Sequence, residues 1–220
     1  MANPDTPFGL KPVRHMLGLP LNGAVKPYYI PSGYGTALFI GDPVVKTGTA
    51  NTTVVQAPGV GRFGVGTLPE INRTVVGDVS GGSEATKLIT GVIVGFAPDP
   101  NNLGRIYNPA NTERIAYVCD DPFVVFEIQA DGAIPATSIG LNAVLIATHS
   151  GSTVTGLSGM ELDTTSDAPE ANASNQLIIL RAVNREDNDT TLTHAKVEVR
   201  INTHTEVTGL NAHGEGQLGI

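Results

Sequence analysis

The sequence predicts an all-β protein: a β-barrel or β-sandwich body with a long, extended, proline-rich N-terminal arm and few or no helices. Three observations lead to this prediction. Short runs of β-branched and aromatic residues recur along the chain between turn residues. No stretch of the sequence shows the i, i+3, i+4, i+7 apolar spacing of an amphipathic helix. Glycine (26 residues) and proline (15 residues) are frequent, which favours turns and extended chain over helix.

Residues 1–35 are predicted to form the arm. Prolines recur through this segment, and each one removes a backbone donor and fixes φ: Pro4, Pro7, Pro12, Pro20, Pro27 and Pro31. The segment also carries many large apolar side chains, which disfavours a solvated tail. We therefore expect the arm to lie either on its own body or on a neighbouring subunit. In the second case the expected contact residues are Phe8, Leu10, Val13, Leu17, Leu19, Tyr28 and Tyr29.

Residues 36–205 are predicted to form a single β body, followed by a C-terminal tail over residues 206–220. The strongest strand candidates are residues 88–96 (LITGVIVGF), which are apolar on both faces, and residues 195–202 (AKVEVRIN), which alternate. Gly41, Asp42 and Pro43 are predicted to form a turn between the short apolar runs 37–40 and 44–45. The polar residues 70–87 and 149–175 are predicted to be long loops.

The charge of the chain limits its partners. Charged residues make up only 15% of the sequence, and the formal net charge is −8. A surface so poor in charge favours burial against protein partners. The 13 lysines and arginines do not cluster, so the sequence predicts no contact with nucleic acid. It also contains no signal peptide and no apolar run of membrane-spanning length, which predicts synthesis in the cytoplasm and no membrane association.

Possible catalytic and cofactor-binding motifs have simpler structural interpretations. Cys119 lies in a strand candidate beside two aspartates, which disfavour a reactive thiolate. The string Gly59–Gly64 fits G-x-G-x-x-G, but the residues after it do not favour a helix, so a glycine-rich β-hairpin is predicted. Ser158 misses the G-x-S-x-G spacing by one residue. The sequence therefore predicts no catalytic residue and no cofactor.

No metal site is predicted either. The histidines show none of the spacings that direct two imidazoles at one ion, and we expect them to be solvated or interfacial. His194 and His204 flank the last strand candidate, and each could meet further ligands only through folding.

Four stretches of the chain resemble a set of structural proteins of tailed bacteriophages: ANPDTPFGLKPVRH, YYIPSGYGTALFIGDPVVKTG, GVIVGF and LIILRAVNREDND with KVEVRIN. The resemblance implies a virion protein, in particular a capsid decoration (cement) protein on the outer face of an HK97-type shell. It further implies the phage major capsid protein as partner and a homo-oligomer, with a trimer favoured and a dimer possible. It implies no catalytic residue.

Two alternatives remain open at the level of the sequence. The first is another phage structural component, such as a head-connector, tail or receptor-contacting surface protein, which would be present in fewer copies per virion. The second, less favoured, is a β-barrel enzyme, which would need a pocket with converging polar groups.

Overall fold

The computed structural model describes residues 2–21, 25–57, 59–76, 87–146 and 150–207 of the 220-residue chain. These residues form twelve β-strands, and the predicted all-β class is confirmed. Ten of the strands form an open sheet and a closed barrel, and the other two form a hairpin. A three-residue 3₁₀ helix, Ala136–Ser138, precedes the tenth strand.

The open sheet has five antiparallel strands, with both chain-terminal strands in it. In spatial order they are β1 (Lys11–His15), β9 (Val124–Gln129), β12 (Lys196–Ile201), β11 (Leu177–Ala182) and β10 (Asn142–Ala143). Strand β9 is buried along its whole length. In β12 the apolar residues Val197, Val199 and Ile201 are buried, as their alternation predicts, but Lys196 is buried with them.

The barrel also has five strands. In order around it they are β2 (Val25–Ile30), β6 (Pro69–Arg73), β3 (Pro43–Ala50), β7 (Gly91–Phe96) and β8 (Arg114–Cys119). The β2–β6 pair is parallel, and the other pairs are antiparallel. The hairpin consists of β4 (Val55–Ala57) and β5 (Gly61–Phe63).

Strand β7 lies between two hydrophobic cores and contributes side chains to both. Ile93 packs in the barrel core with Val44 and Ile71, whereas its neighbour Val92 packs in the core of the open sheet with Phe126. Successive side chains of a strand point to opposite faces, so a strand between two cores must be apolar on both. This explains the continuous apolar run LITGVIVGF and confirms the strand predicted there, although the strand itself begins only at Gly91.

The predicted arm needs correction, because parts of residues 1–35 belong to the β body. Strand β1 pairs with β9 at one edge of the open sheet, and β2 pairs with both β6 and β8 in the barrel. Proline is tolerated in both strands: Pro12 lies at an edge of the sheet, beside a register shift, and Pro27 lies near the start of β2. The boundary at residue 35 therefore does not separate an arm from a body.

One predicted loop, one short strand and the tail also need comment. Pro69–Arg73 forms strand β6 rather than the start of a loop over residues 70–87, and residues 77–86 of that loop lie outside the described residues. Strand β10 is short and consists of Asn142–Ala143 alone. Of the predicted tail, residues 208–220 lie outside the described part of the chain.

The segment before β1 crosses the turn before β3 with backbone directly against backbone. Leu10 N donates a hydrogen bond to Gly41 O at 2.9 Å. Gly9 and Gly41 both have positive φ, +70° and +96°. A Cβ at Gly9 would lie 2.4 Å from Gly41 O, and a Cβ at Gly41 would lie 2.2 Å from Phe8 O. Only glycine fits at either position.

We predict that Gly9→Ala is more destabilising than Gly18→Ala, although φ is nearly the same at both residues (+70° and +72°). A left-handed alanine costs about 1–2 kcal/mol in either variant. A Cβ at Gly18 has no atom within 4 Å, so only the Gly9 variant adds a clash, worth a further ~1–3 kcal/mol. The free energy of unfolding in urea measures the difference. Equal losses in the two variants would show that the crossing is not tightly packed.

Candidate interface at the Met16–Leu19 turn

The chain leaves strand β1 through a tight turn at the edge of the open sheet. Gly18 N donates to His15 O at 3.1 Å, and Gly18 takes a φ of +72°. Met16 N donates to Phe123 O at 2.9 Å, which fixes the start of the turn to the segment between β8 and β9. Leu17 N also donates to His15 Nδ1 at 3.1 Å, so backbone hydrogen bonds and the His15 side chain together hold the turn in position.

The side chains of this turn form an exposed apolar surface. Leu17 is 66% exposed, Leu19 58% and Met16 42%, and the adjacent Phe123 is 41% exposed. We call these four residues the apolar turn patch. Beside it lies a depression of about 510 Å³, whose apolar lining includes Val13 and Leu21. Grouped exposed apolar residues on a soluble protein mark surfaces that contact a partner.

Polar contacts behind the patch hold it against the sheet. The His15 side chain is buried, with Nε2 at 3.2 Å from Asp121 Oδ2, and its ring lies 6.2 Å from that of Phe123. His15 and His204 are both buried, which corrects the expectation that they are solvated or interfacial. The Arg200 guanidinium lies 4.0 Å from Met16 Sδ. The patch thus has a positively charged side chain at its border.

The seven expected interface residues fall into two groups. The prediction is wrong for Leu10, Tyr28 and Tyr29, because each is buried within the protein itself. Leu10 lies in the core of the open sheet, Tyr28 inside the barrel and Tyr29 against the outer side of the barrel. The remaining four stay candidates, because Leu17 and Leu19 are exposed and Phe8 and Val13 are half-buried.

The two tyrosines are also fixed by hydrogen bonds inside the protein. Tyr28 Oη donates to the buried Asp120 at 2.9 Å, and Tyr29 Oη donates to Glu113 at 2.8 Å. Burial is the main cause that raises the pKa of Tyr28 well above its ordinary value, and the nearby Asp120 carboxylate is the second. Burial and the hydrogen bond to Glu113 raise the pKa of Tyr29 to about 12. Both phenols are structural donors.

Sequence reasoning missed Phe123 as a patch residue. Phe123 directly precedes strand β9, which begins at Val124, so it lies in the turn before that strand. The only signal in the sequence was its position after Asp121 and Pro122, two residues typical of turns.

Cys119 and Ser158, the nucleophile types singled out in the sequence, have structural roles. Cys119 is buried at the end of β8, and burial raises the pKa of its thiol to about 11, although a backbone hydrogen bond from Asp121 lowers it. Ser158 is buried, and its Oγ accepts a hydrogen bond from Met160 N at 3.1 Å. The glycine-rich string begins in the turn of the β4–β5 hairpin, which confirms the hairpin predicted there.

One group of described residues could hold a metal ion, where the sequence predicted no site. Asp5, Glu161 and His194 each offer a ligand atom, and these atoms lie within 4.8 Å of one another. They come from the segment before β1, the chain before β11 and the β11–β12 connection. No spacing in the sequence reveals this group, because its members are far apart in the chain and only folding brings them together.

Comparison of the chain with family models, curated proteins and solved structures finds no match. Among the residues that the structure describes, no helix has the length and apolar character needed to cross a membrane.

Strand β1, which leads into the apolar turn patch, pairs with β9 through its backbone and is also joined to the open sheet by an ion pair. Arg14 of β1 and Arg181 of β11 both contact Glu198 of β12, at 2.9 and 2.7 Å. Burial raises the pKa of Glu198, but hydrogen bonds from Arg181 and Arg14 outweigh it, so the pKa lies below its ordinary value of 4.5. Because the folded-state pKa is lowered, this contribution to stability is present above pH 4.5 and is lost as pH falls through the folded-state pKa.

We predict that Glu198→Gln lowers the free energy of unfolding by about 1 kcal/mol at pH 7, a small value because both arginines are partly exposed. The difference from the wild type should shrink as pH falls below 4.5. Urea unfolding of both proteins between pH 7 and pH 3 measures it. Glu186→Gln, which removes the same charge from an exposed turn, serves as the control. A difference that stays constant over this pH range would contradict the role given to the Glu198 carboxylate.

Proposed function

We propose that this protein is a structural component of a phage virion, a capsid decoration (cement) protein that binds the outer face of an HK97-type shell and stabilises the junctions between capsomers. The proposal starts from the resemblance described above. The apolar turn patch is the structural observation that supports it. The patch is an apolar surface fixed at the edge of a sheet, and it lies in the N-terminal region where the sequence predicts contacts.

The physical properties of the chain fit such a role. A cement protein has to present a fixed surface, and the barrel and the open sheet are joined through the shared strand β7. Its low charge reduces the cost of removing water from a contact surface. Its net charge of −8 suits the outside of a shell, away from the packaged DNA.

The mechanism that we propose is mechanical. Each copy contributes a modest contact across a capsomer junction, and many copies on one shell add up by avidity. A standard specific interface buries about 1,600 Å² in total, more than four side chains supply, so the patch would be the centre of a larger contact. Its partners are the major capsid protein and other copies of this chain, as a trimer or a dimer.

The proposed contact cannot be tested by deleting the N-terminal region, because that region contains strands of the fold. Deleting residues 1–35 would remove β1 from the open sheet and β2 from the barrel, so loss of binding would only report unfolding. Substitutions at exposed positions avoid this difficulty. Leu17 and Leu19 are the most exposed members of the patch, and Leu103 and Val154 provide matched apolar controls at 82% and 85% exposure elsewhere.

We predict that Leu17→Ser with Leu19→Ser weakens binding to the isolated capsid at least tenfold, about 1.4 kcal/mol, as expected for central apolar contacts. Leu103→Ser with Val154→Ser should bind as the wild type does. Co-sedimentation of the full-length variants with capsids lacking this protein gives the affinities, and circular dichroism checks that each variant is folded.

Three results would count against the proposal or part of it. If the wild type does not bind capsids, the cement function is wrong. If the patch variant binds like the wild type, the contact lies elsewhere on the protein. If the protein is present in only a few copies per virion, the alternative of a head-connector, tail or receptor-contacting component is favoured.

A further inference from the structure

A second surface of the molecule carries a group of side chains that the proposed function does not use. It lies at the end of the open sheet where the segment before β1 meets the β11–β12 connection. Asp5, Glu161 and His194 place two carboxylates and one imidazole there, with ligand atoms within 4.8 Å of one another. The Asp5 side chain is mostly exposed, Glu161 is buried and His194 is intermediate.

The backbone around this group is anchored from several directions. Asn3 is buried, and its Nδ2 donates to Asp189 O and Thr193 O, both at 2.8 Å, while its Oδ1 accepts from Asp189 N at 2.8 Å. Asn3 thus fastens the N-terminal segment to the β11–β12 connection, close in sequence to both Asp5 and His194. The group is therefore preorganised from two sides.

Gln129 connects the two carboxylates. This residue is fully buried in β9, and its Nε2 donates to Asp5 Oδ1 at 3.2 Å and to Glu161 Oε1 at 2.9 Å. Its Oε1 in turn accepts from Thr6 N at 3.3 Å. A buried amide that orients two carboxylates is the kind of supporting contact found behind metal ligands.

The imidazole of His194 provides the observation that points to a ligand. Its Nδ1 is enclosed by protein, yet it makes no hydrogen bond to any described residue, and it lies 3.7 Å from Asp5 Oδ1. An enclosed polar atom without a hydrogen bond costs free energy. A cation between this nitrogen and the two carboxylates would remove that cost and would also offset the repulsion between the two negative charges.

We propose that Asp5, Glu161 and His194 form a binding site for one divalent transition-metal ion, for which Zn²⁺ is the natural probe. An imidazole with carboxylates suits Zn²⁺ and related ions, whereas Mg²⁺ and Ca²⁺ prefer oxygen ligands alone. Zinc bonds of about 2.0–2.1 Å place tetrahedral ligands roughly 3.3 Å apart, so ligand atoms that lie within 4.8 Å of one another need to approach by up to about 1.5 Å. Asp5 is exposed and can supply that movement, and water would complete the coordination.

Binding at this site would join three segments that are remote in sequence. The ion would fasten the N-terminal segment, which continues into β1 and the apolar turn patch, to the two loops at the far end of the open sheet. Because it binds the folded chain, it would stabilise that chain by linkage. The site does not depend on whether the protein binds a capsid, so either proposal can fail without the other.

We predict that the full-length, chelator-treated protein binds one Zn²⁺ per chain in isothermal titration calorimetry. At a free Zn²⁺ concentration about one hundred times the Kd, the melting temperature should rise by roughly 5–10 °C. Mg²⁺ at the same concentration should leave it unchanged. His194→Asn and Glu161→Gln should each raise the Kd at least tenfold, since even residues that only support metal ligands have effects of about this size.

The variants are chosen to preserve the fold. Asparagine tolerates the positive φ of His194 (60°), and glutamine can still accept the hydrogen bond from Gln129. Glu170→Gln, which removes an exposed carboxylate, is the charge control and should bind Zn²⁺ like the wild type. The proposal is overturned if the wild type shows no one-to-one binding, or if His194→Asn and Glu161→Gln bind Zn²⁺ as tightly as the control.

Discussion

The contact on which most of the structure depends is the crossing of Gly9 over Gly41. The turn at Gly41 joins three parts of the chain: its carbonyl accepts from Leu10 N, its amide donates to Ile93 O in the barrel, and the adjacent Ile40 exchanges backbone hydrogen bonds with Gly156 and Ser158. The buried Asp42 carboxylate accepts from Phe39 N and closes the turn. Burial raises the pKa of Asp42 despite hydrogen bonds from Ser158 and Phe39, so this junction keeps a polar group where water is excluded.

The crossing explains how one chain builds a closed barrel and an open sheet without two separate domains. From Gly9 the chain enters β1 at an edge of the sheet, whereas from Gly41 it enters β3 in the barrel. Strands β7 and β8 then serve both cores, since Val92 and Cys119 face the sheet while Ile93 and Val118 face the barrel. A strand that serves two cores cannot shift its register by one residue without placing both sets of side chains wrongly. The two sheets therefore stabilise each other.

The sequence allowed the fold class and the best strands to be predicted because local signals are sufficient for them. The run before Phe96 and the alternation after Ala195 are patterns of neighbouring residues. The N-terminal region was mispredicted because proline argues against a central strand but not against an edge strand, the start of a strand or a bulge. Whether Leu10 and Tyr28 face the chain's own core or a neighbour depends on pairing with residues more than eighty positions away. The group of Asp5, Glu161 and His194 could not be predicted either, because only folding brings these distant residues together.

The first thirty residues therefore combine two tasks that the composition alone cannot separate. Leu10, Tyr28 and Ile30 are apolar because they complete the two cores, and the chain must bury them to fold. Leu17 and Leu19 have the same chemistry but lie on a turn that points away from both cores, so folding does not explain them. Exposed leucines scattered singly need no explanation, but a group held in place by the His15 and Phe123 backbone contacts is different. Its fixed position reduces the entropy lost when a partner covers it, which is the property that a contact surface requires.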